Sequence, residues 1–193
     1  MRRISETLDR LKKARARRGL VGTGKQAIIL ITRRFFFNET IIYKFDEASP
    51  RPKFNGSLLI QPWRSWAEIP NEIQSALTDW EGSLFPDQVT RALEIGGTFW
   101  TGIHNDRVLA YQWSRKGNER GNWYVDLKDD DFVLFSIVTH PDARGQGVAP
   151  HMMRHIIEEQ IKPGYYAYID CKEWNKASQN SIMKTGFREI SRK

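Results

Sequence analysis

The stretch Phe132–Ile161, FVLFSIVTHPDARGQGVAPHMMRHIIEEQI, decides the fold. It opens with a nearly unbroken apolar run, Phe132 to Val138, rich in β-branched and aromatic side chains and set between Asp129-Asp130-Asp131 and Pro141. Such a run predicts a strand buried on both faces. After Pro141 come Arg144-Gly145-Gln146-Gly147, and then Val148, Met152, Met153, Ile156, Ile157 and Ile161 recur at helical spacing. The unit reads as buried strand, glycine loop and helix. A helix N-terminus presents unpaired N–H groups and the positive end of the helix dipole, and glycines remove the Cβ atoms that would keep an anion away. Arg144 adds a fixed charge at the same place, so a phosphate or pyrophosphate is the expected guest. Two glycines also make a plain tight turn, and a short glycine motif alone does not decide between the two.

The residues around the loop carry a resemblance. Val138-Thr139-His140-Pro141-Asp142-Ala143-Arg144-Gly145-Gln146-Gly147-Val148-Ala149 resembles the acetyl-CoA signature of the GCN5-related N-acetyltransferases (GNAT), with Arg144, Gly147 and Ala149 on the pattern. Downstream, Asn175-Lys176-Ala177-Ser178 and Lys184-Thr185-Gly186-Phe187 are similar to that family's Asn-x-x-Ser helix closing on Lys-x-Gly-Phe. The resemblance implies an α/β (α+β) fold with a mixed central sheet flanked by helices. It implies acetyl-CoA or CoA as co-substrate, no metal, and a cofactor site at Ile137, Val138, Arg144, Gly145, Gln146, Gly147, Val148, Ala149, Asn175 and Ser178. A backbone N–H near Val138 would then polarise the thioester carbonyl, an effect that can be worth ~3 kcal/mol. A deprotonated amine would attack directly in a ternary complex, and a homodimer is compatible with the family.

No catalytic residue stands out. Asp131, His140, Asp170, Glu68 and Glu81 are the candidate bases. Ile182 sits where relatives carry a tyrosine that protonates the leaving thiolate, so Ser178, Tyr166, Tyr168 or water would take that part. Asn175 is a pantetheine contact, a helix N-cap, or both. The single Cys171 excludes an internal disulfide, and a lone cysteine near a strand end is more often a core or rim residue than a nucleophile. His151 and His155 lie one helical turn apart with no third metal ligand in view.

Upstream, the chain from Ser57 reads as a regular α/β domain. A strand at Leu58–Gln61 precedes a helix opened by Pro70, with Ile73, Ala76, Leu77 and Trp80 inward. A second helix starts near Pro86, with Val89, Ala92 and Leu93 inward, and stops at Gly96-Gly97. Thr98–His104 and Val108–Trp113 form a hairpin, and Trp123–Leu127 is a further extended piece. Beyond the quoted stretch, Tyr165–Asp170, Lys176–Lys184 and Phe187–Ile190 read as strand, helix and strand. The family's last strand has no counterpart after that, and the N-terminal segment is the favoured substitute.

The expected division is residues 1–56 as a basic amphipathic arm with lead-in strands and 57–193 as the acyltransferase domain. Residues 1–19 hold eight Lys and Arg against Glu6 and Asp9, nearly all of the chain's net charge of +7. Ile4, Leu8, Leu11 and Ala14 align on one helical face. Three readings compete: a solvated helix packing on the domain or a partner, a peripheral contact with anionic lipid, and nucleic acid. Nucleic acid is disfavoured because no aromatic residue interleaves with the charges. Ala27–Ile31, Phe35–Phe37 and Ile41–Phe45 are apolar blocks, each shorter than the ~20 residues that span a bilayer. Asp46–Gly56, with Pro50 and Pro52, reads as a mobile loop or linker.

Short apolar runs and a single cysteine are compatible with a soluble or peripheral protein in a reducing compartment, and the expected location is cytoplasmic, peripheral at a membrane if the arm binds lipid. The expected activity is acyl transfer to a small-molecule primary amine, an amino sugar among the candidates, since the seven tryptophans suit sugars and apolar amines as well as core packing. A non-catalytic CoA-binding or assembly module that kept the phosphate loop, and an adaptor acting through residues 1–19, are the alternatives.

Overall fold

The computed structural model describes residues 39–193. The basic arm and the apolar blocks at 27–31 and 35–37 lie outside the described residues. Seven strands form one sheet: β1 Thr40–Phe45, β2 Leu59–Trp63, β3 Thr98–His104, β4 Arg107–Lys116, β5 Phe132–Thr139, β6 Ala167–Lys172 and β7 Phe187–Arg192, in the order β2-β3-β4-β5-β6-β1-β7. The pairs β2–β3, β3–β4, β4–β5 and β1–β7 are antiparallel, and β5–β6 is parallel. The helices are α1 Asn71–Glu81, α2 Phe85–Glu94, a short turn α3 Gly117–Arg120, α4 Val148–Gln160 and α5 Lys176–Thr185. The fold is the expected mixed α/β sheet flanked by helices.

Alternation along the central strands divides the core into two layers. On β3 and β4, Phe99, Tyr111 and Trp113 pack with Leu77, Phe85 and Val89 of α1 and α2. Trp100 and Ala110 turn to the other face, where Met152, Met153, Ile156 and Ile157 of α4 and Ile182 of α5 fill the second layer. Two buried indoles of this core are satisfied: Trp63 Nε1 donates to Thr101 Oγ1 and Trp100 Nε1 to Ser114 Oγ, each at 2.9 Å. Asn105 and Asp106 both take positive φ (47° and 59°), the left-handed pair that matches a two-residue hairpin turn to strand twist.

Several expectations change. Trp123–Leu127 forms no strand; the chain there is irregular. Ala76 faces solvent, since the inward stripe of α1 is carried by Leu77 with Ile73 and Trp80 half-buried. β5 is buried on both faces only as far as Leu134; Ser136 is exposed and Ile137–Thr139 are half-exposed. The sheet position left open by the resemblance is taken by β1, which lies between β6 and β7 and pairs Ile41–Phe45 with Arg192–Phe187. Asp46–Gly56 is a loop, but a pinned one. Arg154 donates from Nη1 to the Ser49 carbonyl at 3.0 Å, Arg51 donates from Nε to Glu158 Oε1 at 2.8 Å, and the Asp46 N–H reaches the Gly186 carbonyl at 3.0 Å. Among the described residues, Glu39 and Thr40 group with Lys172–Trp174 in one compact unit, within which the Glu173 N–H meets the Glu39 carbonyl at 3.0 Å and Lys172 Nζ donates to Thr40 Oγ1 at 2.7 Å. Among the described residues no helix is long and apolar enough to cross a membrane.

Candidate functional site

The site begins where β5 and β6 part. Their parallel pairing covers Phe132–Leu134 against Ala167–Ile169, although β5 continues to Thr139 and β6 to Lys172. β5 carries a surplus residue at that point, because Tyr111 of β4 faces Val138 while Trp113 faces Phe135. Ser136 absorbs it at φ 51°, in a region that residues with a Cβ seldom occupy. A bulge bends its strand and re-aims its peptide groups. Here the bend coincides with the departure of β6.

Beyond the bulge lies a cavity of about 800 Å³. Its floor is Ile137–Thr139 at the end of β5, and its inner wall is Ala143–Pro150, the glycine loop with the first turn of α4. Asn175, Ala177, Ser178, Ser181 and Lys184 of the α5 region form the opposite wall, and Pro52, Lys53 and Asn55 of the β1–β2 loop form a rim. No Asp or Glu lines it, whereas Lys53, Arg144 and Lys184 do. The N-terminus of α4 opens into this cavity with no side-chain cap and no acid in its first turn, so its dipole stands uncompensated by the chain. Two bonds hold the loop in shape: Arg144 Nε donates to the Thr139 carbonyl at 3.3 Å, and Gln146 Nε2 to the Asp142 carbonyl at 2.8 Å. Gly147 takes φ 85°, and a Cβ on it would stand 2.7 Å from the Lys53 carbonyl oxygen. That position therefore excludes a side chain for two reasons, backbone conformation and the loop lying across it.

All ten residues expected at a cofactor site, Ile137, Val138, Arg144–Ala149, Asn175 and Ser178, line this one cavity. Asn175 is also the N-cap of α5, its Oδ1 accepting the Ser178 N–H at 3.3 Å. Sequence reasoning missed the rim, Thr139 on the floor, and Ala143, Pro150, Ala177, Ser181 and Lys184 on the walls. Ser181 and Lys184 follow Ser178 at steps of three, so the helical period of α5 would have found them. Lys53 lies just past Pro50-Arg51-Pro52, and prolines at that spacing signalled an extended segment without saying what it crosses.

The candidate bases scatter. Asp131 is buried and saturated by the N–H groups of Lys128 (2.9 Å) and Tyr166 (2.7 Å), a structural role. Glu68 accepts the N–H groups of Arg64 and Ser65 as a turn cap. His140 Nδ1 accepts the Asp142 N–H at 3.4 Å, and its ring meets Trp80 edge-on at 5.2 Å. Glu81 ends α1. Asp170 follows Tyr168 on the same face of β6, one residue past the end of the β5–β6 pairing. Ile182 is 1% exposed in the core, so position 182 presents nothing to the cavity. Burial pushes the Cys171 thiol up to about 11, which keeps it protonated and unreactive. Among the described residues no three His, Cys, Asp or Glu gather as a metal site; His155 pairs with Glu159 and His151 packs on Phe54.

A mixed sheet that opens between two parallel strands, over a cation-rimmed cavity headed by a glycine loop, is the arrangement of a site suited to an anionic ligand. Residues 61–187 match the acetyltransferase (GNAT) family, and the chain belongs to it. No curated protein matches the chain. Among solved structures it is similar to a GNAT-family acetyltransferase from Colwellia psychrerythraea (14% identity, TM-score 0.58, covering 88% of this chain and 59% of that one). A GNAT-family acetyltransferase from Novosphingobium aromaticivorans aligns at 17% identity and TM-score 0.52, over 82% of this chain and 62% of its own. The aminoglycoside 6′-N-acetyltransferase of Acinetobacter baumannii aligns at 13% and 0.51, over 70% and 93%. The chain thus spans about three fifths of the first two structures, and these likenesses speak to the fold.

Proposed function

We propose that the protein transfers an acetyl or other short acyl group from acyl-CoA to a primary amine of a small acceptor, by direct attack in a ternary complex. The observation that carries this reading is the acid-free cavity at the α4 N-terminus, with Lys53, Arg144 and Lys184 around it. A helix dipole, free backbone donors and three cations together favour a polyanion such as the pyrophosphate of CoA. Arg144, Gly145, Gln146, Gly147, Val148 and Ala149 hold that group, and Asn175 and Ser178 border the pantetheine. Ile137 and Val138, just past the bulge, offer the thioester its backbone donor. Asp170 faces the acceptor side and receives the amine proton directly or through water. Amino sugars are one acceptor class to test, since aminoglycoside acetyltransferases share this fold.

The burial of Ile182 favours a second reading, a CoA-binding module without turnover. Calorimetric titration with acetyl-CoA, CoA and a longer acyl-CoA tests the first step, beside an Arg144→Glu, Gly147→Glu control. Micromolar binding abolished in the control is expected; equal binding by both proteins removes the glycine loop from the account. Thiol release on adding amines then separates transfer from binding alone. A cytoplasmic location with residues 1–19 resting on anionic lipid belongs to the same proposal, and co-sedimentation with phosphatidylserine vesicles, with and without that arm, tests it.

A further inference from the structure

The face of the sheet that carries α1 and α2 has its own unmet demand at the β5–β6 parting. Trp113 of β4 is opposite Phe135 of β5, Arg115 is opposite Val133, and Val133 is opposite Tyr168 of β6. Strand alternation therefore puts Trp113, Arg115, Phe135 and Tyr168 side by side on one face, immediately before the bulge. The Phe135 ring stacks on Trp113 (6.2 Å, 15°), and the Arg115 guanidinium lies over the same Phe135 ring, 5.6 Å from its centroid. Trp123, from the irregular segment after α3, closes over Tyr168 at 5.8 Å. The face is aromatic with one cation set into it.

Two donors in this cluster are buried with no acceptor among the described residues: Arg115 Nε and Trp123 Nε1. Burial holds the Arg115 guanidinium below its ordinary value, the like charge of Arg120 adds to this, and Glu119 only partly offsets them. A half-buried guanidinium whose Nε is sealed without an acceptor, in the same cluster as a buried indole N–H that also has none, is a costly arrangement unless an acceptor completes it. Proteins place a bare guanidinium on an aromatic wall to receive a planar oxyanion in two-point contact. The location relates this demand to the reaction. Three residues along β5 from Phe135, about 10 Å of strand, lies Val138 on the floor of the donor cavity. A small acceptor anchored at Arg115 thus extends toward the acyl group.

We infer that Arg115 and the Trp123 indole bind an oxyanion, a carboxylate or a phosphate, on the acceptor, so that the acceptor is an amine that also carries a negative group. This rests on the transfer reading above and narrows its substrate class: polycationic amines are disfavoured, and amino acids or phosphorylated amino compounds are favoured.

Matched acceptors test it: 4-aminobutyrate against butylamine, O-phosphoethanolamine against ethanolamine, and glucosamine 6-phosphate against glucosamine, with CoA release from acetyl-CoA as the readout. The wild type is expected to favour the oxyanion-bearing member of at least one pair by about ten- to a hundredfold in kcat/KM, the range of a charged hydrogen bond. Which pair responds tells carboxylate from phosphate. Arg115→Met collapses that ratio through KM, Arg115→Lys keeps part of it, and Trp123→Phe lowers it by a smaller step. KM for acetyl-CoA and the melting temperature report whether each variant is folded. A wild type that shows no preference in any pair, or an Arg115→Met that slows both members equally, overturns the inference while leaving the transfer reading standing. Acetyl-CoA binding with no turnover of any amine removes the transfer reading itself, and this inference with it.

Discussion

The two sides of the β5–β6 opening are built by different means. On the side proposed for the donor, the chain between Ile137 and Pro150 supplies eleven of the nineteen lining residues, and backbone N–H groups, glycines and a helix dipole set its chemistry. On the side proposed for the acceptor, single side chains from β4, β5, β6 and the segment after α3 converge, and each strand contributes one or two. A site made of backbone demands particular residues at fixed spacing. A site made of side chains across strands demands only a register, which many sequences satisfy.

The sharpest way to break this contrast is Gly147→Ala. The left-handed φ alone costs about 1–2 kcal/mol for a residue with a Cβ. The added methyl also meets the Lys53 carbonyl, so the loop must shift at the place where the proposed function seats the CoA pyrophosphate. KM for acetyl-CoA is expected to rise at least about tenfold, while the melting temperature falls by only a few degrees for a chain of this size. Unchanged KM would mean that the β1–β2 loop is not part of the donor site.

Ile182→Tyr comes next. The side chain is sealed in the layer between the sheet and the helices α4 and α5, so the larger ring overpacks it at about 1–3 kcal/mol. Thermal unfolding should register the loss, and kcat should not rise. An increase in kcat would show that a hydroxyl at 182 reaches the leaving thiolate despite its burial.

These positions also show what the sequence made legible. Phe132–Val138 and the loop after it were readable because an apolar run followed by Arg144-Gly145-Gln146-Gly147 has few other uses. The displaced strand was half readable: Ile41–Phe45 announced itself as apolar, but its place between β6 and β7 depends on pairing across more than a hundred residues of chain. Trp123–Leu127 misled because aromatic and β-branched residues favour a strand only where a neighbouring edge is free to pair. The Asp46–Gly56 loop misled for the opposite reason. Its prolines signalled irregular backbone correctly, yet its order comes from Arg154 and Glu158 on a distant helix.

That anchoring yields a smaller effect with a pH signature. Arg154 Nε bonds Glu158 at 2.7 Å, and its guanidinium lies over Phe45 at 4.8 Å while Nη1 holds Ser49. Burial would raise the Glu158 carboxyl, but the hydrogen bonds from Arg51 and Arg154 outweigh it and hold it below the ordinary value. A depressed carboxyl contributes stability that is present at neutral pH and lost as pH falls through its folded value, because the unfolded chain takes the proton first. Measured against the intrinsic rate at each pH, hydrogen exchange in residues 47–56 should therefore be protected at pH 7 and lose that protection in acid. Arg154→Ala should make it fast at both, with a loss of about 1–3 kcal/mol for bonds to a charged group that is mostly buried. Exchange in this loop that ignores both pH and the substitution would show that its order has another origin.

Cys171 gives the smallest effect and tests whether anything on β6 behind the opening takes part in chemistry. Its thiol sits in the core layer, its Sγ–H directed to the Asn175 carbonyl at 3.7 Å. With the folded value at about 11 against an ordinary 9.0, the folded protein keeps the proton over a range where the unfolded chain has lost it. Stability is thus independent of this group below about pH 9 and declines as pH rises from there toward 11. Cys171→Ala should remove that decline, and it should leave acetyl transfer at pH 8 within about twofold, since a protonated thiol is neither nucleophile nor base. Urea titrations at pH 8 and pH 10 measure the first, and CoA release measures the second. A large loss of turnover in a folded Cys171→Ala would place a covalent acyl-thiol step behind the sheet, against a direct attack by the amine.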